Sequence, residues 1–136
     1  MSQNVNFGMV GLGKMGANIV RRLSRHGITS AVYDLSPEVV KSLAAEGAIA
    51  TSDMADMAAK LTAPRTIWIM VPAGVTDSTI AAMAEHLEKG DTIIDGGNSY
   101  YKNDLKNAAL LAEKGINFVD VGTSGGVYGL ERGYSL

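Results

Sequence analysis

The sequence predicts an α/β protein with a doubly wound parallel sheet, in which helices cover both faces. Short apolar runs alternate with helix-like segments of about ten to fifteen residues, and this alternation is typical of βαβ units. The first apolar run ends in a glycine-rich turn, and the second ends in an acidic residue. Because crossovers between parallel strands are right-handed, these units favour the strand order 3-2-1-4-5-6 of a Rossmann fold.

The elements follow from apolar periodicity and from the residues that interrupt it. Ser36 is expected to cap the second helix, since Pro37 then takes the first helical position. Glycines predict where helices end, and Pro64 precedes the most apolar strand. The predicted strands are 5–10, 29–34, 48–51, 66–71, 92–95 and 118–121, and the predicted helices are 14–26, 37–47, 53–61, 76–87 and 100–114.

Several apolar side chains are expected to serve packing alone. The first helix should place Ala17, Val20, Leu23 and Ser24 on one face, with Arg21, Arg22 and Arg25 on the other. Trp68 lies in the most apolar strand, and methionines fill irregular gaps in cores. The methionines assigned to this role are Met54, Met57 and Met83.

Composition limits the function classes. The 136 residues suffice for one domain, 1–136, and the net charge of −2 comes without a basic block. Nucleic acid and anionic membrane surfaces are therefore not expected partners. The chain has no cysteine, which excludes disulfides, thiolate metal sites and a cysteine nucleophile. His26 and His86 are expected to be solvated, and no metal-binding spacing of histidines occurs.

Targeting signals are not evident in the sequence. No apolar run approaches the roughly 18 residues of a membrane-spanning helix. The chain opens MSQNVNFGMV, without a basic segment followed by a long apolar stretch, so no signal peptide is predicted. A cytoplasmic protein is the expectation.

The glycine-rich turn has the form GxGxxG and consists of Gly11, Leu12, Gly13, Lys14, Met15 and Gly16. In a strand–turn–helix context, the first glycine permits a tight turn and the second lets backbone approach a pyrophosphate. The third allows close packing of the helix, whose free N–H groups then face the phosphates. The turn therefore predicts dinucleotide binding, against the alternative of the same fold with an empty or repurposed site.

The acidic residue that ends the second strand favours NAD as the cofactor. Asp34 follows Gly16 by 18 residues, where a carboxylate can accept hydrogen bonds from the adenosine ribose. A 2′-phosphate would bring like charge against that carboxylate, and Leu35 offers no guanidinium to offset it. Lys41 is the nearest following cation and lies a full helical turn away from the loop. NAD is thus preferred over NADP.

Three further segments fall at the ends of predicted strands, at the edge where open α/β sheets bind ligands. Val71, Pro72 and Ala73 follow the fourth strand, although a proline can simply end a strand. Asn98 follows a glycine pair after the fifth strand, where a turn with a helix cap is the alternative. Ser124, Gly125 and Gly126 follow the sixth strand and could form an anion-binding nest or a flexible linker.

Together these segments resemble 6-phosphogluconate dehydrogenase, the decarboxylating enzyme, within the β-hydroxyacid dehydrogenase superfamily. The resemblance covers essentially the whole chain. It is carried by GLGKMG at 11–16, MVPAG at 70–74, IDGGNSYYKND at 94–104 and FVDVGTSGGVYGLERG at 118–133. The IDGGNS and SGG segments are the more specific markers, because GLGKMG is shared with many dehydrogenases.

The resemblance assigns roles to individual residues. It implies that 11–16 hold the pyrophosphate, that Met15 lies near the nicotinamide, and that Asp34, Leu35 and Ser36 form the ribose loop. Val71, Pro72 and Ala73 would line the cofactor. Asn98 would touch cofactor and sugar acid, and Ser124, Gly125 and Gly126 would bind the substrate. Many members carry Asn-Arg-Ser/Thr in the ribose loop and use NADP, so Asp-Leu-Ser here resembles an NAD-linked bacterial subgroup.

The implied reaction is oxidation of 6-phosphogluconate at C3 and loss of CO₂ to give ribulose 5-phosphate. The family's catalytic lysine and glutamate lie on downstream helices and map onto no residue of this chain, so no catalytic residue is assigned. The family's helical domain and its homo-oligomer are likewise expected only in a longer protein. A non-catalytic NAD-binding module, and a dehydrogenase for another hydroxy acid, are the alternatives.

Overall fold

The computed structural model of the chain describes residues 5–97 and 101–121. Its strands are β1 (Phe7–Val10), β2 (Ala31–Tyr33), β3 (Ile49–Ala50), β4 (Thr66–Ile69), β5 (Thr92–Asp95) and β6 (Asn117–Asp120). Its helices are α1 (Lys14–Arg25), α2 (Pro37–Ala45), α3 (Met54–Lys60), α4 (Thr76–Ala84) and α5 (Tyr101–Glu113), with a 3₁₀ turn at Ala73–Val75 before α4.

The six strands form one parallel sheet in the order β3-β2-β1-β4-β5-β6, which confirms the predicted fold class and strand order. The register aligns Val10 with both Tyr33 and Ile69, and Ile69 with Asp95. The last residues of four strands therefore lie side by side at one edge, where the loops to α1, α2, α4 and α5 begin.

Two cores lie on opposite faces of the sheet, because successive strand residues point to opposite sides. On one face, Met9 and Val32 pack with α1 and α2. On the other, Ile67 and Ile93 pack with α3, α4 and α5. The packing expected for the methionines is confirmed: Met57 and Met83 are fully buried, and Met54 packs against the same core at its margin.

Helix ends follow the predicted signals within two residues, except at the end of α4. Gly27 and Gly47 come just after α1 and α2 with φ of 81° and 107°, a backbone region that glycine adopts most easily. Helix α4 ends at Ala84, before the predicted residue 87, because His86 and Leu87 donate to carbonyls three residues back and tighten the last turn.

The face of α1 that carries Ala17, Val20, Leu23 and Ser24 is buried only over part of its length. Ala17 and Val20 are buried as expected, whereas Ser24 is exposed. Helix α1 has 12 residues, whereas β1 and β2 have 4 and 3. At about 1.5 Å per helical residue and about 3.3 Å per strand residue, the helix outruns the sheet, so its last turn projects beyond the core.

Candidate functional site

The glycine turn between β1 and α1 is closely packed at two of its glycines and open at the third. Gly11 has φ of 96°, and a Cβ there would run into the Met70 carbonyl at the end of β4. A Cβ on Gly16 would collide with the carbonyl of Gly11, whereas a Cβ on Gly13 would meet nothing within 4 Å. The turn thus closes on itself and on β4, while Gly13 faces open space.

The N–H groups of the turn divide into two sets. Those of Gly11 and Leu12 point to the end of β2, where the Tyr33 carbonyl accepts the first at 2.9 Å and Asp34 Oδ2 accepts the second at 2.6 Å. Those of Lys14 and Met15 belong to the first turn of α1 and have no partner within the helix. This first turn carries no acidic side chain, so its partial positive charge is not offset locally. The second set can receive an anion.

Asp34 joins the glycine turn to the loop before α2. Its Oδ1 accepts the backbone N–H of Ser36 at 2.9 Å, while Oδ2 accepts that of Leu12. Ser36 takes the N-cap position of α2 as predicted, but its side chain makes no capping hydrogen bond. Leu35 projects into solvent with 89% of its surface exposed, so the loop presents an acid and an apolar side chain.

A cleft of about 690 Å³ opens at this edge of the sheet. The glycine turn, the loop after β2, the segment after β4 and the glycine pair after β5 form its walls. Its lining residues are Val10, Gly11, Gly13, Met15, Tyr33, Asp34, Leu35, Met54, Met70, Val71, Pro72, Val75, Thr79, Gly96 and Gly97.

The structure brings most of the predicted cofactor residues to this cleft. The predicted residues in its lining are Gly11, Gly13, Met15, Asp34, Leu35, Val71 and Pro72. Leu12 and Gly16 are buried in the turn itself, and Lys14 is exposed beside it. Ser36 lies in the adjoining loop without lining the cleft, and Ala73 is the first residue of the 3₁₀ turn that follows β4. Asn98, Ser124, Gly125 and Gly126 fall outside the described residues.

Eight lining residues were not predicted as site residues, and three of these lie in α3, in α4 or in the 3₁₀ turn before α4. Met54 is the first residue of α3, Val75 ends the 3₁₀ turn, and Thr79 lies in α4. Met54 fits the packing role expected of it but also faces the cleft. Only the three-dimensional arrangement brings these helices beside the turn, so no local motif marks these residues.

The glycine pair after β5 lets the chain pass close to β4. A Cβ on Gly96 would collide with the Trp68 indole, and a Cβ on Gly97 would lie 3.1 Å from the Val71 carbonyl. Asp95, fully buried, accepts the N–H of Gly97 at 3.0 Å and so closes the turn. Trp68 also contacts Phe7 edge to face, with ring centroids 6.4 Å apart, which confirms its packing role.

A second cavity of about 170 Å³ lies at the opposite edge of the sheet, between the ends of α1 and α2. Arg21 and Glu46 line it and form an ion pair of 3.0 Å, and Arg21 also donates to Asn18. Its wall carries the buried Ser30, but its position separates it from the glycine turn.

Within 5–97 and 101–121, no group of three or more His, Asp or Glu residues could hold a metal ion. None of the helices described is both long and apolar enough to cross a membrane.

Comparison with known proteins identifies the family. Residues 6–136 match the model of the NAD-binding domain of 6-phosphogluconate dehydrogenase. The chain belongs to this family. The decarboxylating 6-phosphogluconate dehydrogenase of Haemophilus influenzae is 41% identical over 142 aligned residues, which take in 100% of this chain and 29% of that protein.

Members of the family differ in the cofactor that their names give. The NAD(+)-dependent decarboxylating 6-phosphogluconate dehydrogenase of Haloferax volcanii is 37% identical over 97% of this chain and 44% of its own length. The Plasmodium falciparum 6-phosphogluconate dehydrogenase, solved with NADP+ and with 6-phosphogluconate, has a TM-score of 0.84 at 29% identity, covering 95% of this chain and 29% of that one. The chain therefore spans less than half the length of these relatives.

Proposed function

We propose that this chain is the cofactor half of an NAD-dependent oxidative decarboxylase that converts 6-phosphogluconate to ribulose 5-phosphate. The observation that carries the proposal is the cleft at the carboxyl edge of the sheet, into which the glycine turn, Asp34 and Val71–Pro72 all face. Family membership supports the substrate, since the relatives are named for it.

NAD would supply the hydride acceptor for oxidation of the C3 hydroxyl, after which the β-keto acid loses CO₂. The residues of this chain bind and orient. The N–H groups of Lys14 and Met15 would receive the pyrophosphate, and Asp34 would accept from the ribose hydroxyls. Met15, Val71 and Pro72 would enclose the nicotinamide side of the cleft.

The substrate side of the proposal rests on residues predicted from the sequence. Asn98, Ser124, Gly125 and Gly126 would bind the sugar acid. The acid–base groups would come from a domain outside 1–136. This accords with the coverage of the relatives, since the chain spans 29% of the length of the Haemophilus influenzae protein and 44% of that of the Haloferax volcanii protein. The protein that contains this domain would then assemble as a homo-oligomer.

The reaction can be tested by comparing residues 1–136 with a longer protein that contains them. We expect 1–136 to bind NAD without measurable turnover, and the longer protein to form ribulose 5-phosphate from 6-phosphogluconate. Product would be followed by chromatography and by the absorbance of reduced cofactor. Ribulose 5-phosphate formed by 1–136 alone would contradict the assignment of the acid and base to another domain.

Two other outcomes would favour the alternatives. If a longer protein oxidises a different hydroxy acid but not 6-phosphogluconate, the proposed substrate is wrong and the proposed class of reaction is kept. If a longer protein binds NAD but oxidises neither 6-phosphogluconate nor another hydroxy acid, the chain is better described as a non-catalytic NAD-binding module.

The preference for NAD is proposed from the loop after β2. The Asp34 carboxylate would repel a 2′-phosphate, and the exposed Leu35 supplies no positive charge to compensate. Changing Asp34→Asn together with Leu35→Arg removes the repulsion and adds a guanidinium. We expect the ratio of the Kd for NADP to the Kd for NAD to fall by about tenfold or more, since one close charge contact is worth on the order of 1–2 kcal/mol.

The control for this measurement is Lys41→Ala. Lys41 is exposed and lies a helical turn into α2, so its loss should leave the Kd ratio unchanged. Isothermal titration calorimetry on both cofactors gives the ratio directly. A ratio that the double variant does not change would refute the proposed role of this loop.

A further inference from the structure

Both oxygens of Asp34 are bonded to backbone N–H groups, and these groups come from two different loops. Oδ2 accepts from Leu12, 22 residues earlier in the chain, at 2.6 Å. Oδ1 accepts from Ser36, two residues later, at 2.9 Å. A side chain needed only for ribose recognition would not have to reach back to the glycine turn.

The bond to Leu12 fixes the direction of the turn's backbone. Leu12 is 4% exposed, so little of the residue is open to water that could replace the carboxylate as acceptor. The preceding N–H, that of Gly11, is bonded to the Tyr33 carbonyl. Two successive peptide groups are thus held against the end of β2, and the backbone leaves them toward Gly13 and the first turn of α1.

We propose that Asp34 is a positioning residue for the pyrophosphate site, acting through the Leu12 N–H, in addition to its contact with ribose. This inference rests on the proposed cofactor site. Asp34 holds the glycine turn so that the next N–H groups, at the start of α1, face the cleft before any cofactor arrives. The same carboxylate thereby couples recognition of the two halves of the dinucleotide.

Both N–H groups can be satisfied at once by a carboxylate but not by its amide. An asparagine has one acceptor oxygen and an NH₂ group that only donates. With two N–H partners on two different oxygens, an amide at position 34 would always turn its NH₂ group toward one of them. One N–H would then lose its acceptor, and if it is that of Leu12 the turn is released from β2.

The test compares two ligands that lack the adenosine ribose, nicotinamide mononucleotide and pyrophosphate, with one that contains it, AMP. Asp34→Asn is titrated with nicotinamide mononucleotide, inorganic pyrophosphate and AMP, and binding is followed by NMR chemical shifts. We expect nicotinamide mononucleotide and pyrophosphate to bind about tenfold more weakly than to the wild type, the typical effect of one lost hydrogen bond to a charged group. Unchanged binding of both, with weakened AMP, would overturn the inference and leave Asp34 a ribose ligand only.

The matched control is Asp53→Asn. Asp53 is exposed, and its Oδ1 accepts one N–H, that of Asp56, at 2.7 Å as the cap of α3. Asparagine caps helices as well as aspartate, so this substitution should leave folding and the binding of all three ligands unchanged.

Amide exchange separates failure of this inference from failure of the proposed function. In the unliganded wild type, the Leu12 amide should exchange much more slowly than that of the exposed Gly13, and Asp34→Asn should remove this protection. If the wild type binds none of the three ligands, the cofactor site is wrong and exchange alone decides the role of Asp34. If Asp34→Asn does not fold, a Leu12 amide in the wild type that exchanges as fast as Gly13 overturns the inference.

Discussion

Gly13 and Gly16 belong to the same turn but face different surroundings. Gly16 meets the Gly11 carbonyl, so a methyl group there must displace backbone. Gly13 has φ of −64°, which any residue adopts, and nothing lies within 4 Å of its Cβ position. The fold therefore does not require glycine at position 13. The open space beside this position is where a ligand's phosphates would approach.

Two alanine substitutions separate these roles. Gly16→Ala should lower the free energy of unfolding by about 1–3 kcal/mol, because overpacking forces the turn to move. Gly13→Ala should leave that free energy within about 0.5 kcal/mol of the wild type and weaken NAD binding, because the methyl group fills the approach path. Urea denaturation and calorimetric titration measure the two quantities. Wild-type NAD affinity in Gly13→Ala would exclude a pyrophosphate at this point of the turn.

The Rossmann motif predicted the residues of this turn, but not the bond between Asp34 and Leu12. Spacing alone indicated that the acid ends the second strand and faces the cofactor. The hydrogen bond depends on the register of β1 and β2, which brings together residues 22 positions apart. No local pattern contains that information.

At the scale of the elements, β4 and β5 are joined at their amino ends by a buried ion pair. Arg65 and Asp91 approach to 2.8 Å, with 13% and 0% of their side chains exposed. Asp91 also accepts the backbone N–H groups of Arg65 at 2.7 Å and Glu88 at 2.8 Å, and Arg65 donates to the Ala58 carbonyl at the end of α3. The network connects two strands and a helix, and nothing in the periodicity of the sequence predicted it.

The network makes stability depend on pH. Burial alone would raise the pKa of Asp91, but the N–H groups of Arg65 and Glu88 and the Arg65 guanidinium outweigh it and hold the pKa below its ordinary value. Since the folded pKa is lowered, this stabilisation is present above the unfolded pKa of about 4 and is lost as pH falls through the folded value. Stability should therefore decrease on acidification below about pH 4.

Asp91→Ala tests this assignment. The substitution leaves Arg65 buried without its partner and should lower the free energy of unfolding at neutral pH by about 3 kcal/mol. The decrease in stability below about pH 4 should also become smaller than in the wild type. Urea denaturation at a series of pH values gives both results. Asp56→Ala is the control: its carboxylate is bonded near the surface to Ser52 and Lys60 and should contribute little at either pH.

Over the whole molecule, the sequence predicted which residues form each element better than it predicted how elements meet. Apolar runs fixed the strands, because a parallel sheet buries both of its faces. The end of α4 was less well predicted, because hydrogen bonds between residues three apart tighten its last turn, and the sheet's length leaves Ser24 of α1 exposed. The cleft was predicted from its turns, whereas Met54 and Thr79 reach it only through the placement of α3 and α4.

The Arg65–Asp91 pair and the loop at Asp34 and Leu35 occupy opposite edges of the same sheet. Strands of four residues separate these edges by about 13 Å, beyond the range at which mutational effects usually interact. Changes in the loop after β2 and changes in the ion pair should therefore be additive. Evolution or design can therefore change the cofactor preference at the loop after β2 and raise the free energy of unfolding at the Arg65–Asp91 pair, without either change limiting the other.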